Sequence, residues 1–422
     1  MKKTAALILL AICATLMSCD KDAYEFNYED SLGKETIYNG HFPKGSHDAI
    51  SLTRSQQEMA ARGNSLSTAM LLSDIANKKD EENVLLSPLS LQIALGMLAN
   101  GLNDKALKDY LKAMYKSKYT LDELNDFYHL LEDKLCASTD AYTCCFANAI
   151  WAQQDYSIEK DFIQTCSTCY DAVADYIDFT QPEQAKSIID KWAFEHTYGM
   201  IPHVTLDINI FTRMVLANAC YFKGTWVTPF EPEKTDKQHF TPEHGAKYNV
   251  DMMHQTRRDY YAETDDYQSV TLPYLPGNYS MMLVLPQKGK TVEKVLPNVD
   301  WTGTNSKNYA DIELSIPKFD LQTTNDLIPV LRQLGMSSLL AAGAVSHINE
   351  DLEVNQVNQD VHVIVNEKGT EAAAVTVISM EGCIANPIEP EKVTLTFDRP
   401  FAFAIRENST GIILFIGKVG KP

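Results

Sequence analysis

The stretch 369-GTEAAAVTVISMEGCIANP-387 follows directly on a strand-like run, 361-VHVIVNE-367. It opens with Gly369, Thr370 and Glu371, passes through Ala372, Ala373 and Ala374, and turns β-branched at Val375, Thr376, Val377 and Ile378. Side chains alternate across a strand, so extending residues 370–380 places Thr370, Ala372, Ala374, Thr376, Ile378 and Met380 on one face. That face is uncharged and begins with small residues, which suits burial in a tight slot. The other face carries Glu371 and Ser379, which can meet water. A hairpin needs a short turn between 367 and 371, and Gly369 alone is a weak signal for one. The segment therefore reads as a strand not yet in its sheet.

Outward from this stretch, the chain upstream is mostly helical and then mostly extended. Helices are expected at 66–78, at 89–101 behind Ser87-Pro88, and at 121–135, 159–174 and 183–199. Strands are expected at 213–222, 268–274, 279–286 and 311–319. A helix at 325–335 comes before the run at 361–366, and 393–408 and 410–419 make two closing strands. Helices first and strands later point to an α+β fold with large antiparallel sheets. No Pro/Gly linker divides residues 51–422, which read as a single domain.

The first residues, 1-MKKTAALILLAICATLMSC-19, form a targeting segment: two lysines, then an apolar run too short to span a bilayer. Leu16-Met17-Ser18-Cys19 resembles a bacterial lipobox, which implies a signal peptide over 1–18 and lipidation of Cys19. The polar stretch 19–50 then serves as a flexible tether. Acids just behind Cys19 point to an outer-membrane lipoprotein exposed at the cell surface, meeting the membrane through the lipid anchor alone. Loss of Lys2 and Lys3 takes the net charge from −19 to −21, and that sign excludes nucleic-acid partners.

Of nine cysteines, seven remain beyond Cys13 and Cys19. Cys144-Cys145 and Cys166-x-x-Cys169 follow no small-domain disulfide framework. Cys166 and Cys169, one helical turn apart, lack a second ligand pair for zinc, so buried or unpaired thiols are expected, with no metal and no cofactor. Phosphate-cradling Gly loops, HExxH and GxSxG are absent. A thiol hydrolase built on Cys383 and a distant histidine has nothing further to support it, so the protein is not expected to be an enzyme.

These residues carry a family resemblance. 366-NEKGTEAAAVT-376 is similar to the hinge of the reactive loop of inhibitory serpins, and 397-FDRPFAFAI-405 to the signature that follows that loop. 83-NVLLSPLSLQIALGMLANG-101 resembles the helix under the serpin central sheet. 217-ANACYFKGTWVTPF-230 resembles the strand bearing the shutter asparagine and the gate tryptophan. 252-MM-253, 268-QSVTLPY-274, 315-SIPKF-319 and 331-LRQLGM-336 follow in order. The resemblance implies a monomer with three β-sheets, the large central sheet A among them, eight or nine helices and an exposed reactive loop at about 367–392.

It also implies a function. A protease cleaves the loop and forms an acyl-enzyme. The freed loop then enters sheet A as a new strand and traps the protease. By the same resemblance Glu367, Gly369, Thr370, Glu371, Ala372, Ala373 and Ala374 form the hinge, with Gly369 permitting its swing. Ser87, Ser90, Asn218 and Gln359 form the shutter, and Trp226 is the gate residue. Gln359 stands where many serpins have histidine; it can still donate and accept, without a histidine's pH sensitivity. Sixteen residues beyond Glu367 the scissile bond falls at Cys383-Ile384, with a bond nearer Met380 or Glu381 left open by the long 384–400 segment. A small residue there suits elastase-like serine proteases, with papain-like cysteine proteases and subtilisin-like enzymes as runners-up. A serpin-fold binding protein without inhibitory action is the competing reading.

Overall fold

A computed structural model describes residues 49–78, 82–154, 156–370 and 391–422. The lipobox with Cys19, the hinge residues Glu371, Ala372, Ala373 and Ala374, and the Cys383-Ile384 bond lie outside the described residues. In chain order the elements are α1 (Arg54–Asn77), β1 (Val84–Leu86), α2 (Pro88–Ala99), α3 (Asp104–Tyr115), α4 (Leu121–Leu135), β2 (Ala137–Ser138) and β3 (Tyr142–Gln153). Next come α5 (Lys160–Tyr170), β4 (Val173–Ile177), α6 (Pro182–His196), β5 (Met214–Thr225), β6 (Asp236–Phe240), β7 (Tyr248–Glu263), β8 (Tyr267–Pro273) and β9 (Tyr279–Pro286). The rest are α7 (Val292–Val295), β10 (Asn308–Pro317), β11 (Phe319–Asp326), α8 (Ile328–Gln333), β12 (Asn358–Asn366), β13 (Gly369–Thr370), β14 (Glu391–Thr396), β15 (Phe401–Glu407) and β16 (Ile413–Val419).

The strands of the described residues form two hydrogen-bonded networks. The central one runs β11-β12-β13-β5-β3-β2, with β4 beside β3. The other runs β1-β16-β15-β9-β8-β7-β10-β14, with β6 beside β7. The sixteen-residue β7 joins two of the three expected sheet regions by continuous hydrogen bonding: Met252–Tyr261 pairs with β10, whereas only Tyr261–Glu263 pairs with β8. One long strand thus belongs to two sheet regions.

Local chemistry accounts for the helix starts. Thr53 and Gln56 form a reciprocal capping box at α1, and Thr120 with Glu123 forms another at α4. α2 begins with Pro88 at its first turn and buries eleven of its twelve residues. A helix apolar on all sides belongs in the core, and α2 runs beneath the central sheet. Truncating its fully buried Ile93 to Ala would cost about 2–5 kcal/mol. On the opposite face, Ile189 and Trp192 of α6 pack over Ala149, Trp151 and Ala217. The central sheet is therefore covered on both faces.

Several expected boundaries shift. α1 begins twelve residues before the expected position 66. The strand expected at 311–319 is two, β10 and β11, broken at Lys318. β3, buried through most of its length, was not anticipated, because 142-YTCCFANAIWAQ-153 alternates too weakly to announce a strand.

Candidate functional site

The site is the join between β12 and β5. The chain does reverse after β12. Asn366 pairs with Gly369 and Val365 with Thr370, around the two-residue turn Glu367-Lys368. The expectation that no turn separates these segments is corrected here. Within the turn Asn366 Oδ1 accepts from Lys368 N at 3.0 Å, and distant donors add to it: the Lys368 and Glu367 carbonyls accept from Trp226 N and Phe230 N. The Glu367 carboxylate accepts from Thr235 Oγ1 at 2.9 Å and pairs with Lys318 at 3.1 Å. Burial alone would raise that carboxyl, but its own backbone N–H, Lys318 and Thr235 prevail and lower it.

Gly369 and Thr370 sit as a short strand, antiparallel to both β12 and β5. Gly369 is glycine here because of close approach: a Cβ would lie 2.0 Å from the Gly224 carbonyl oxygen. Thr370 is buried, and its hydroxyl meets Tyr274 Oη at 2.6 Å. Tyr274 stacks on Trp226 with ring centroids 4.3 Å apart, and Trp226 Nε1 donates to the Asn366 carbonyl at 3.0 Å. Trp226 is thus both a core aromatic and a lid on the turn. Tyr274 belongs to the site although only its strand was anticipated. Nothing local marks a tyrosine for this role.

Below Thr370, β5 and β12 have no strand between them among the described residues, and farther along, where Met214–Cys220 faces Asn358–Val361, a cavity of about 620 Å³ opens. Ser90, Leu91, Trp192, Val204, Asn218 and Gln359 are among its lining residues. The four expected shutter residues all gather in it, as two half-clasps on α2. Gln359 pairs with the Ser87 backbone, accepting from its N–H at 3.0 Å and donating to its carbonyl at 2.8 Å. Ser90 Oγ donates to Asn218 Oδ1. Ser87 has the look of a helix cap, yet its hydroxyl donates instead to the Leu414 carbonyl. One clasp holds β12, the other β5. Widening the gap strains both.

Over the cavity the chain after α6 acts as a strap. Lys186 Nζ donates to the Val204 carbonyl at 2.6 Å on the α6 side. On the other side Thr205 donates through its N–H and hydroxyl to Asp360, and Asn358 donates back to the Thr205 carbonyl. The strap bridges the two banks of the gap.

The described cysteines offer no nucleophile here; Cys383 lies outside the described residues. Cys136, Cys144, Cys145, Cys166, Cys169 and Cys220 are all free thiols. Burial pushes Cys136 and Cys166 up to about 12, and Cys144 and Cys145 well above the ordinary thiol range. Among the described residues no group of three His, Cys, Asp or Glu side chains is placed to hold a metal, and no helix is long and apolar enough to cross a membrane.

Known proteins resemble this chain in sequence and fold. A family model described as Serpin (serine protease inhibitor) matches residues 63–422. The neuroserpin of Gallus gallus is 30% identical over 363 residues, covering 82% of this chain and 87% of its own length. The native-state crystal structure of the thermophilic serpin tengpin superposes with a TM-score of 0.77 at 27% identity, covering 90% of this chain and 97% of that one. Thyroxine-binding globulin in complex with thyroxine gives 0.75 at 26%, covering 86% and 99%.

Proposed function

The chain belongs to the serpin family, and from that premise we propose that it is a suicide-substrate inhibitor whose loop, once cut, completes the central sheet. The observation that carries this reading is the seating of Gly369 and Thr370 between β12 and β5, at the head of two strands that among the described residues have no strand between them and that line a cavity farther along. The new strand would already be started. Six residues on from Thr370 is Thr376, and six back from its partners Gly224 and Val365 are Asn218 and Gln359. Continued in register, the strand would set Thr376 between the two shutter side chains. Thr370 faces inward, so Ala372, Ala374 and Thr376 would follow it inward, and none is charged.

The driving energy follows from the strand edges. β5 from Met214 to Lys223 offers ten residues and β12 an opposing edge. At about 1 kcal/mol net per new hydrogen bond, insertion would release on the order of 10 kcal/mol. That compares with the full stability of an ordinary domain, enough to distort a tethered protease.

Finer parts of the reading rest on sequence alone. Cleavage at Cys383-Ile384, targets of the elastase-like class with papain-like or subtilisin-like proteases behind them, and lipidation of Cys19 with export to the outer membrane belong to the proposal. Incubating the protein with purified proteases should yield a covalent adduct on denaturing gels, and the mass of the released C-terminal peptide should locate the cut. Loop cleavage should raise Tm by at least 10 °C, since each kcal/mol moves Tm by a degree or more in a domain of this size. The second reading, a serpin-fold binding protein, is favoured by the likeness to a globulin that carries thyroxine. That reading stands instead if cleavage leaves Tm unmoved and no adduct forms.

A further inference from the structure

Asn218, on the edge of the gap, begins a hydrogen-bond chain that leads away from the shutter. Its Nδ2 donates to Asn148 Oδ1 at 2.6 Å, directly opposite it on β3. Asn148 Nδ2 donates in turn to Glu132 Oε1 and to the Tyr170 carbonyl, both at 2.7 Å. Glu132 lies in the last turn of α4 and is 8% exposed, and its Oε2 is buried without a hydrogen-bond partner. Serine, asparagine and asparagine can each donate or accept. The carboxyl oxygen facing Asn148 accepts only.

That asymmetry gives the chain a direction. Glu132 draws Asn148 Nδ2, which leaves Asn148 Oδ1 for Asn218. Asn218 must then present Nδ2 to β3 and keep Oδ1 for the hydroxyl of Ser90. The Glu132 carboxyl and the Tyr170 carbonyl, both accepting from Asn148 Nδ2, thus orient two amides and one hydroxyl, ending on the helix under the gap. We propose that Glu132 is a positioning residue for the widening of the central sheet: with the Tyr170 carbonyl it orients the chain from Asn148 through Asn218 to Ser90, and charge on its unpartnered Oε2 destabilises the packing of α4 against β3 that carries the chain.

Burial foremost, with the like charge of Asp171 added, outweighs the Asn148 bond and pushes the Glu132 carboxyl up to about 8. The C-terminal end of α4 adds carbonyl dipoles that also disfavour a charge there. The other titratable groups facing it are the Tyr170 phenol at the end of α5 and the Cys136 thiol after α4. Burial holds both in their neutral forms, Cys136 up to about 12. In the unfolded chain the carboxyl ionises near 4.5. The folded state therefore holds the extra proton between about 4.5 and 8, and stability from this source is full below that window and lost as pH rises through it. Once ionised, Oε2 carries charge with no donor, and local opening around α4 and β3 relieves it.

The inference rests on reading the gap as the place of strand insertion, but its test uses no protease. Tm of the intact full chain is followed from pH 6 to 9.5 for wild type, Glu132→Gln and Asp171→Asn, together with hydrogen–deuterium exchange of the β3 and β5 peptides at each pH. Wild type should lose several degrees more than Glu132→Gln as pH rises from 6, the difference levelling off above about pH 8, and its β5 peptides should exchange progressively faster than the variant's up to that pH. Asp171 is exposed in a left-handed helix cap that Asn also favours, so Asp171→Asn should fold normally and move the step to lower pH. Parallel curves for wild type and Glu132→Gln overturn the proposal, as does a step with unchanged β5 exchange. If Glu132→Gln does not fold, an unmoved step in Asp171→Asn overturns it equally. A protein that traps no protease yet shows the shifted step would sink the inhibitory reading and leave this one standing.

Discussion

Gly369 faces Gly224 so closely that a Cβ on Gly369 would stand 2.0 Å from the Gly224 carbonyl oxygen, while a Cβ on Gly224 would meet the Tyr274 ring at 2.8 Å. Two backbones and an aromatic ring share a space that holds no further methyl group. Gly369→Ala should unseat β13 or force a backbone shift, at a cost of about 1–3 kcal/mol. Trp226 reports it, because its indole N–H is bonded to Asn366 at the turn. A red shift in emission, absent from the same substitution in a Trp226→Phe background, is the expected result.

The Thr370–Tyr274 hydrogen bond is fully buried. Tyr274→Phe leaves the threonine hydroxyl without its partner and should cost about 1–3 kcal/mol, the desolvation penalty of an unsatisfied group. Thr370→Val on top of it should recover most of that loss. A double-mutant cycle by denaturant unfolding measures the coupling, and purely additive effects would show that the hydroxyl is solvated instead.

Charge at the leading end of the loop should convert inhibitor into substrate. Thr370→Arg, and Ala372→Glu two residues on, each demand burial of an unpaired charge, worth several kcal/mol. Insertion slows, deacylation overtakes it, and the protease goes free. Both variants should be cut at the wild-type rate with the covalent adduct lost; a stable adduct from either refutes the argument.

The thiols should be inert in the folded state. With Cys136 and Cys166 raised to about 12, and Cys144 and Cys145 higher still, alkylation at pH 8 should leave these four unmodified over hours and label all of them in denaturant. Half-buried Cys169 should react first of the described cysteines. Peptide mass mapping checks the order. Fast labelling of a buried thiol would reopen thiol chemistry.

That Ser87, Ser90, Asn218 and Gln359 meet at one cavity was legible in the sequence. Their motifs are local: Ser-Pro opens a helix, and the 217–230 run is extended. The division into two clasps was not legible, because it depends on which side of α2 each strand lies. The turn at Glu367-Lys368 also escaped sequence reading. Its donors, Trp226 and Phe230, are roughly 140 residues distant, and no Asn-Gly or Asp-Gly pair announces it. Tyr274, Asn148 and Glu132 escaped for the same reason: each is unremarkable among its chain neighbours and acts only through residues from other elements.

Near neighbours in the chain determined the periodicities, the caps, the small uncharged face beginning at Thr370 and the order of family motifs, and these sufficed for the fold. Three-dimensional closure alone decided that Gly369 and Thr370 are already seated, that a cavity lies farther along the same two strands, and that a glutamate on α4 is tied to a serine on α2. The physical reason is that side-chain alternation and helix capping arise within a few residues. Desolvation and hydrogen-bond pairing depend on what the folded chain brings from far away: 128 residues separate Ser90 from Asn218 and 96 separate Tyr274 from Thr370.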